Sequence, residues 1–508
     1  MNRMVRHQSV LYVIFTDVTL CTARQPLGLR AASFLSGIPL GTAIRVNSLR
    51  QSVDYGQYVD NVKNNYVLVV GENELKSQSI WLGENTYNFN SSDWLLGNTS
   101  NSTGWIQQNL MQLRGHNLVW AKDQWIPNWL IEQESSISSA KAKQLLSDYI
   151  HTVVGRYRGK IPWWDVINEA VDDNNNTNPF NLRDCFWFRK LGPDFIKYAF
   201  IFAHEADSNV KLYYNEYGIE YVNLKTKRTL NLIDWLVSQG INVHGIGLQW
   251  HIDVSVNVTP GDVHYQSAQQ FVDRKLDFMV TELDVSVPTN GGYPINPQDL
   301  QTQGLVYRSI LEYALYFSSN CRALLTWGFT DRYSWIPSFS NYTRGAALPL
   351  DWMYFPKFAY WQMQETLTRV LVDGIYRLSP QSKSNQCLGT SLNANSSDVQ
   401  LYNEPCQNAH QKWNITWLGD GTYRFLSLNA QNHVLSARNT TATIGEVQTS
   451  IWSDDIEQGW AFSAQGPHLF RIVPRTAWWR VMTVYDTSSI GIINFDRMNE
   501  QNWILTQV

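Results

Sequence analysis

Trp163-Trp164-Asp165-Val166-Ile167-Asn168-Glu169-Ala170 is a short apolar run that ends in an amide and a carboxylate. As a buried parallel strand it delivers Asn168 and Glu169 to the point where the strand emerges. An unpaired buried charge is expensive, so such an ending needs a cause. A second run, 278–281, ends the same way in Glu282, 113 residues further on. Two such ends predict carboxylates that converge on one site, the arrangement that cleaves glycosidic bonds.

Working outward, similar runs recur. Residues 66–70 lead into Gly71-Glu72-Asn73, and 113–120 contain Arg114-Gly115-His116. Residues 210–214 lead into Asn215-Glu216, 243–248 into Gln249-Trp250-His251, and 323–326 into Trp327-Gly328. A weaker run at 41–46 makes eight predicted strands. Between them the period changes. Leu146, Tyr149, Ile150, Val153 and Tyr157 recur at helical steps, as do Leu230, Ile233 and Val237, after which Gly240 offers a stop. Eight strand–helix units predict an α/β fold, a (β/α)8 TIM barrel, whose chemistry sits at the carboxyl ends of its strands. The polar residues named above all fall at that end of their runs.

A chain of 508 residues exceeds one hydrophobic core, which predicts two domains and a leader. A net charge of −4 argues against a nucleic-acid partner, and no apolar run approaches the ~18 residues of a membrane span. The 22 tryptophans and 25 tyrosines fill cores or stack on sugar rings, the latter where one lies beside a strand-end carboxylate. Five cysteines show no CxxC spacing, so no metal is expected, and no phosphate loop or other cofactor motif is visible. Cys387 and Cys406 could close a loop, and Cys185 and Cys321 could pair across the first domain. Nine Asn-x-Ser/Thr triplets, at Asn90, Asn98, Asn101, Asn175, Asn257, Asn341, Asn395, Asn414 and Asn439, suggest a secreted glycoprotein. Residues 1–27, with Arg3 and Arg6 before the apolar stretch 10–15 and small residues at Thr22 and Ala23, fit a signal peptide. Asp17 interrupts that stretch, so an inaccurate start or a disordered leader is the alternative.

From 374 to 508 helical periodicity gives way to short strands. Gln411-Lys412-Trp413, Gln458-Gly459-Trp460 and Gln501-Asn502-Trp503 are spaced 47 and 43 residues apart. Three copies at a period near 45 predict three lobes, each too small to bury its own apolar face, sharing one core.

Arg114-Gly115-His116-Asn117-Leu118-Val119-Trp120, Trp164–Ala170, Gly245-Ile246-Gly247-Leu248-Gln249-Trp250-His251, Thr281-Glu282-Leu283-Asp284 and Trp327-Gly328-Phe329-Thr330-Asp331 stand in the order found in glycoside hydrolase family 10. Residues 28–366 resemble that family, mainly endo-β-1,4-xylanases on a TIM barrel, and 374–508 resemble a ricin-type β-trefoil lectin module. The first resemblance implies that Glu169 is the acid/base and Glu282 the nucleophile of a retaining double displacement, with the carboxyl groups about 5–5.5 Å apart. It implies that Asn168 bonds the sugar 2-hydroxyl, that His251 bonds Glu282, and that Asp284 orients His251. Glu72, Asn73 and Lys76 match a segment that bonds sugar hydroxyls on the non-reducing side. His116, Trp120, Gln124, Asn215, Gln249, Trp327 and Trp335 complete the implied pocket. The implied partner is a plant cell-wall polysaccharide, xylan, cut by a secreted monomer.

Two departures qualify the resemblance. Ala121-Lys122-Asp123-Gln124-Trp125-Ile126 makes a longer step before Pro127 than the family usually shows, which bears on Gln124 and on exclusion of the hydroxymethyl group of glucose. In the trefoil, Gly389 stands where a sugar-binding lobe carries aspartate and His410 where it carries asparagine, leaving Tyr402 as a platform. The third lobe has Thr483 and Glu500 at the matching places. Weak glycan binding and a spacer role both stay open for that module. For the whole chain, the rivals are a broader endo-β-1,4-glycanase acting on glucan or mixed linkages and a catalytically retired carbohydrate-binding protein.

Overall fold

The computed structural model describes residues 27–99, 102–391, 398–403, 406–430, 432–466, 468–486, 488–496 and 498–508. The expected leader up to residue 26, Cys21 and the triplets at Asn101 and Asn395 lie outside the described residues. Eight parallel strands close a ring: β1 (Leu40–Ile44), β2 (Leu68–Gly71), β3 (Gln112–Gly115), β4 (Trp163–Asn168), β5 (Lys211–Glu216), β6 (Gly245–Leu248), β7 (Asp277–Asn290) and β8 (Cys321–Thr326). Closure comes from β6 pairing with β7 and β8 pairing with β1. Ala43, Leu68, Val70, Tyr213, Met279 and Leu325 fill the ring's interior, with Trp327 packed against them. The opposite strand faces bury against the outer helices, which is why these runs read as continuously apolar.

The third run is not one strand. Its chain leaves the ladder at Gly115, where a Cβ would lie 2.3 Å from the Trp164 indole, and resumes beside β4 at Val119–Trp120. That break brings His116 and Trp120 to the strand ends. β7 continues past the expected end as far as Asn290. Helix α1 (Leu29–Ser36) precedes the ring. Helix α2 (Ser139–Arg156) starts at Ser138, whose side chain caps Lys141, and buries Leu146, Tyr149, Ile150 and Val153. Helix α3 (Leu224–Ser238) buries Leu230, Ile233 and Leu236 but leaves Val237 54% exposed, because a 3.6-residue turn carries the stripe to 236. Gly240 ends that segment at φ +75°. Helix α4 (Phe358–Thr368) completes the barrel. No helix among the described residues is long and apolar enough to cross a membrane.

Beyond the barrel, strands Gly374–Pro380, Trp413–Trp417, Tyr423–Ser427, Trp460–Gly466, Leu469–Pro474 and Trp503–Gln507 pair antiparallel into a second closed ring. Three two-stranded hairpins complete a β-trefoil. The repeated triplet explains the symmetry. Trp413, Trp460 and Trp503 are fully buried, and their indole N–H groups donate to the carbonyls of Leu388, Leu435 and Met482, one per hairpin. Gln411, Gln458 and Gln501 donate to the carbonyls of Asn403, Ile451 and Asn494, where each hairpin ends. Cys387 and Cys406 form a disulfide within the first hairpin. Cys185 and Cys321 do not pair; both are free and buried, and burial pushes their thiols up to about 12.

The two domains share a small core in which Leu27, Ala31 and Leu35 pack on Ala461, Val473 and Val481. The Leu27 amide donates to the Asp420 carbonyl (2.8 Å), and Gln364 of α4 donates to the Leu27 carbonyl (2.8 Å). Arg30 of α1 bonds the carbonyls of Lys63, Asn109 and Leu110, just ahead of β2 and β3. The trefoil therefore docks at the amino ends of the barrel strands, opposite the end that carries the polar residues.

Candidate active site

Asn168 and Asn215 are in register across β4 and β5, and His251, just past β6, is in register with Asp284 of β7. These pairings bring four strand ends together. Glu169 follows the last residue of β4 with φ +56°, a left-handed turn that side chains adopt reluctantly, and its amide donates to the Asn215 carbonyl at 2.9 Å. The Glu282 amide donates to the Gln249 carbonyl at 3.1 Å.

Side chains then link the two carboxylates. Asn215 Nδ2 donates to Glu282 Oε1 and to Asn168 Oδ1, both at 2.7 Å. Gln249 Nε2 donates to Asn168 Oδ1 at 3.3 Å and to Glu169 Oε1 at 3.0 Å. The Thr281 hydroxyl donates to Asn215 Oδ1 at 2.9 Å, which fixes the orientation of that amide. With its oxygen twice engaged, Asn168 presents its NH2 toward Glu169 Oε1, 3.4 Å away.

Glu282 is the better buttressed carboxylate. His251 Nε2 lies 3.1 Å from Glu282 Oε2, and its Nδ1 lies 2.8 Å from Asp284 Oδ2. Trp335 Nε1 donates to the same Asp284 oxygen at 2.9 Å. Burial works against charge on both groups. For His251, Asp284 and Glu282 overcome it and hold the imidazolium well above the usual histidine range. For Glu282, the hydrogen bond from His251, the charges of His116 and His251, and the Asn215 amide overcome it, bringing the carboxyl down to about 2. The group is thus an anion at any ordinary working pH. On the other flank, His116 Nδ1 lies 2.9 Å from Asp165 Oδ2 and 4.0 Å from Glu282 Oε1. Asp165 also pairs with the fully buried Arg114.

The remaining expected residues line one side of the cleft, with one exception. Lys76 Nζ bonds Asn73 Oδ1 at 3.1 Å and lies over the rings of Trp120, Trp125 and Trp327 at 5.0, 5.4 and 5.9 Å. Burial lowers its ammonium, against the pull of Glu282 and Glu72. Trp125 stacks on Trp120 at 4.6 Å. Glu72 is gripped by Arg45, whose Nη2 lies 3.0 Å from Oε1. Gln124, expected in the pocket, is exposed, and its carbonyl accepts from Gln78 at 3.1 Å. The same loop sends Lys122 instead, whose Nζ contacts Glu169 Oε2. Neither Arg45 nor Lys122 is among the site residues expected from the sequence. The longer loop was visible, but a lysine in a loop carries no signal of where it points. Among the described residues, no group of three or more His, Cys, Asp or Glu side chains could hold a metal ion.

Among the described residues, the trefoil offers no comparable constellation. At Gly389 a Cβ would meet the His410 carbonyl oxygen at 2.7 Å and the Tyr402 ring at 2.9 Å, and Tyr402 packs edge-on against His410 at 4.7 Å. The space for an aspartate is filled. At the equivalent positions, Ser436 bonds Ser450 at 2.5 Å, and the Thr483 hydroxyl donates to the Val481 carbonyl at 3.1 Å; both residues are buried.

Residues 28–366 match the family model described as Glycosyl hydrolase family 10. Endo-1,4-beta-xylanase B of Thermotoga neapolitana is 33% identical over 353 residues, covering 68% of this chain and 93% of that protein. Endo-1,4-beta-xylanase A of Caldicellulosiruptor sp. (strain Rt8B.4) is 33% identical over 338 residues, 64% of this chain, and the match spans 45% of that longer relative. Among solved structures, xylanase 10B from Thermotoga petrophila RKU-1 in complex with xylobiose aligns with a TM-score of 0.61 at 30% identity, covering 68% of this chain and 98% of that one.

Proposed function

Because the chain belongs to glycosyl hydrolase family 10, we infer a retaining endo-β-1,4-xylanase in which Glu282 is the nucleophile and Glu169 the acid/base. The observation that carries this reading is the continuous hydrogen-bond chain Glu282, Asn215, Asn168, Gln249, Glu169. It ties both carboxylates to one site and gives them different environments. Glu282 sits among His251, His116 and Asn215 and is kept ionised; Glu169 stands beside amides and a half-buried loop lysine.

A xylan chain lies across the strand ends, its non-reducing part toward Glu72, Asn73 and Lys76. A Glu282 oxygen attacks the anomeric carbon while Glu169 gives its proton to the glycosidic oxygen, and the aglycone leaves. The resulting ester is hydrolysed by water whose proton returns to Glu169, so the anomeric configuration is restored after two inversions. The Asn168 NH2 is placed to donate to the sugar 2-hydroxyl, a bond that strengthens as the ring gains oxocarbenium character. Lys76 contributes positive charge and, with Trp120 and Trp327, packs against the non-reducing sugars; Trp335 steadies Asp284. The exposed triplet asparagines Asn90, Asn98, Asn175, Asn257, Asn341 and Asn439, with the Cys387–Cys406 disulfide, support an extracellular glycoprotein. The trefoil serves as a fixed appendage rather than a sugar-binding lobe.

NMR of the products released from arabinoxylan tests the reading. β-Anomers appearing first, with xylo-oligosaccharides outweighing any cello-oligosaccharides from carboxymethylcellulose, are expected. First-formed α-anomers would overturn the nucleophile assignment, and equal cleavage of cellulose would overturn the xylan preference.

A further inference from the structure

Glu169 Oε1 is taken by the amides of Gln249 and Asn168 at 3.0 and 3.4 Å, which leaves Oε2 as the oxygen free to carry a proton. Lys122 Nζ sits on that oxygen. The Lys122 side chain is 27% exposed and that of Glu169 is 7% exposed, so the contact is at the cleft surface with the carboxylate behind it. Nor is the lysine on a loose loop. The amide of Ala121, the residue before it, donates to the Asn168 carbonyl at 3.0 Å. Asp123, just after it, accepts from the Phe186 amide at 2.7 Å and from Arg189 at 2.8 Å. The chain is pinned on both sides of residue 122, and the tether directs the ammonium at the acid/base.

Other charges surround Glu169. Arg183 Nε donates to its carbonyl oxygen at 2.9 Å, Glu216 and Lys76 act on it through space, and the Glu282–His251 pair lies beyond Asn168 and Asn215. Among the described residues, Lys122 is the cation that touches a carboxylate oxygen. Its Nζ also lies 5.1 Å from the centroid of the Tyr217 ring, which Lys225 covers at 3.4 Å.

We propose that Lys122 is a positioning residue for the acid/base, an ammonium that pairs with Oε2 of the Glu169 carboxylate and yields that oxygen to the proton in each catalytic cycle. In the first step the proton passes from Glu169 to the glycosidic oxygen as the bond to carbon breaks and the Glu282 ester forms; Lys122 then pairs with the new carboxylate. In the second step water attacks, Glu169 takes its proton on Oε2, the ester opens, and Lys122 gives up that oxygen. The loop between Trp120 and Pro127 brings this group to the carboxylate.

The inference rests on Glu169 as the acid/base, so Glu169→Ala is measured beside Lys122→Met and Lys122→Arg in the full-length enzyme. The readout is the pH profile of kcat/KM on xylotetraose, which needs acid catalysis, and on 2,4-dinitrophenyl β-xylobioside, whose leaving group does not. With xylotetraose, Lys122→Met should move the alkaline limb upward, while Lys122→Arg keeps it in place. With the aryl glycoside, the Lys122→Met profile should match wild type within about twofold, since no proton is required. A limb that does not move in Lys122→Met, or equal slowing on both substrates, overturns the role of Lys122. Glu169→Ala separates the two readings. If it splits the substrates while Lys122→Met does nothing, only the lysine proposal fails; if it slows both alike, the acid/base assignment fails as well.

Discussion

At the carboxyl ends of the barrel strands, Asn168, Asn215, Gln249 and the two glutamates direct their side-chain hydrogen bonds at one another. In the trefoil, Gln411, Gln458 and Gln501 direct theirs at the backbone, and the partnered tryptophans do the same. Both regions keep a recognisable sequence signature. In the barrel the signature residues face a cleft and hold charge there. In the trefoil they close the hairpins onto the core, while the positions that would meet a sugar are small, buried or blocked. A retained motif therefore speaks for function only when its side chains point into open space with hydrogen-bonding capacity left over.

The contrast breaks most visibly at Glu282. Glu282→Gln should lower kcat on xylan by roughly 10⁵-fold, the scale of losing a covalent nucleophile, in a protein that still folds. Substantial turnover in that variant would remove the nucleophile from this site.

In the trefoil, the largest effect should fall on stability instead. Trp460→Ala removes a fully buried indole that also bonds the Leu435 carbonyl, and should cost about 3–5 kcal/mol in denaturant unfolding of the C-terminal transition. The kcat of the folded fraction should not change, because the trefoil docks at the far end of the barrel. A matching loss of kcat would show that the two ends communicate.

His251 sharpens the electrostatic half of the comparison. Glu282 is depressed to about 2, so its ionised form favours the native state above the ordinary carboxylate range, and that contribution is lost as pH falls toward 2. His251→Asn removes the hydrogen-bonded cation. The acid limb of kcat/KM should then move upward, toward the ordinary carboxylate range, with the limb of the wild type lying lower. An unmoved acid limb would mean that His251 does not hold the nucleophile ionised.

The smallest effect is expected at Tyr402. If the first lobe is closed by Gly389 and His410, Tyr402→Ala should alter retention on insoluble xylan by less than about twofold. A loss of retention with unchanged kcat on soluble oligosaccharide would reopen the lobe as a binding site.

Local sequence announced which polar residues follow the apolar runs of the barrel. Apolar runs followed by Asn168-Glu169, Gln249-Trp250-His251 and Glu282-Leu283-Asp284 are local patterns, and a parallel barrel turns such patterns into one site. The Gln-x-Trp period was equally legible, because each lobe repeats the same packing problem. Other features depended on register and docking across long separations. Lys122 meets Glu169 only because Val119–Trp120 pairs beside β4, and Arg45 meets Glu72 only across neighbouring strand ends. Gln124 lies two residues from Lys122, yet the turn between them sends one into solvent and the other onto the acid/base. The trefoil's position was decided by the apolar face of α1, a helix too short to announce a docking surface in sequence. Periodicity reports which side of an element is buried; which side chains then meet is fixed by how the elements are stacked, and that information is spread over the whole chain.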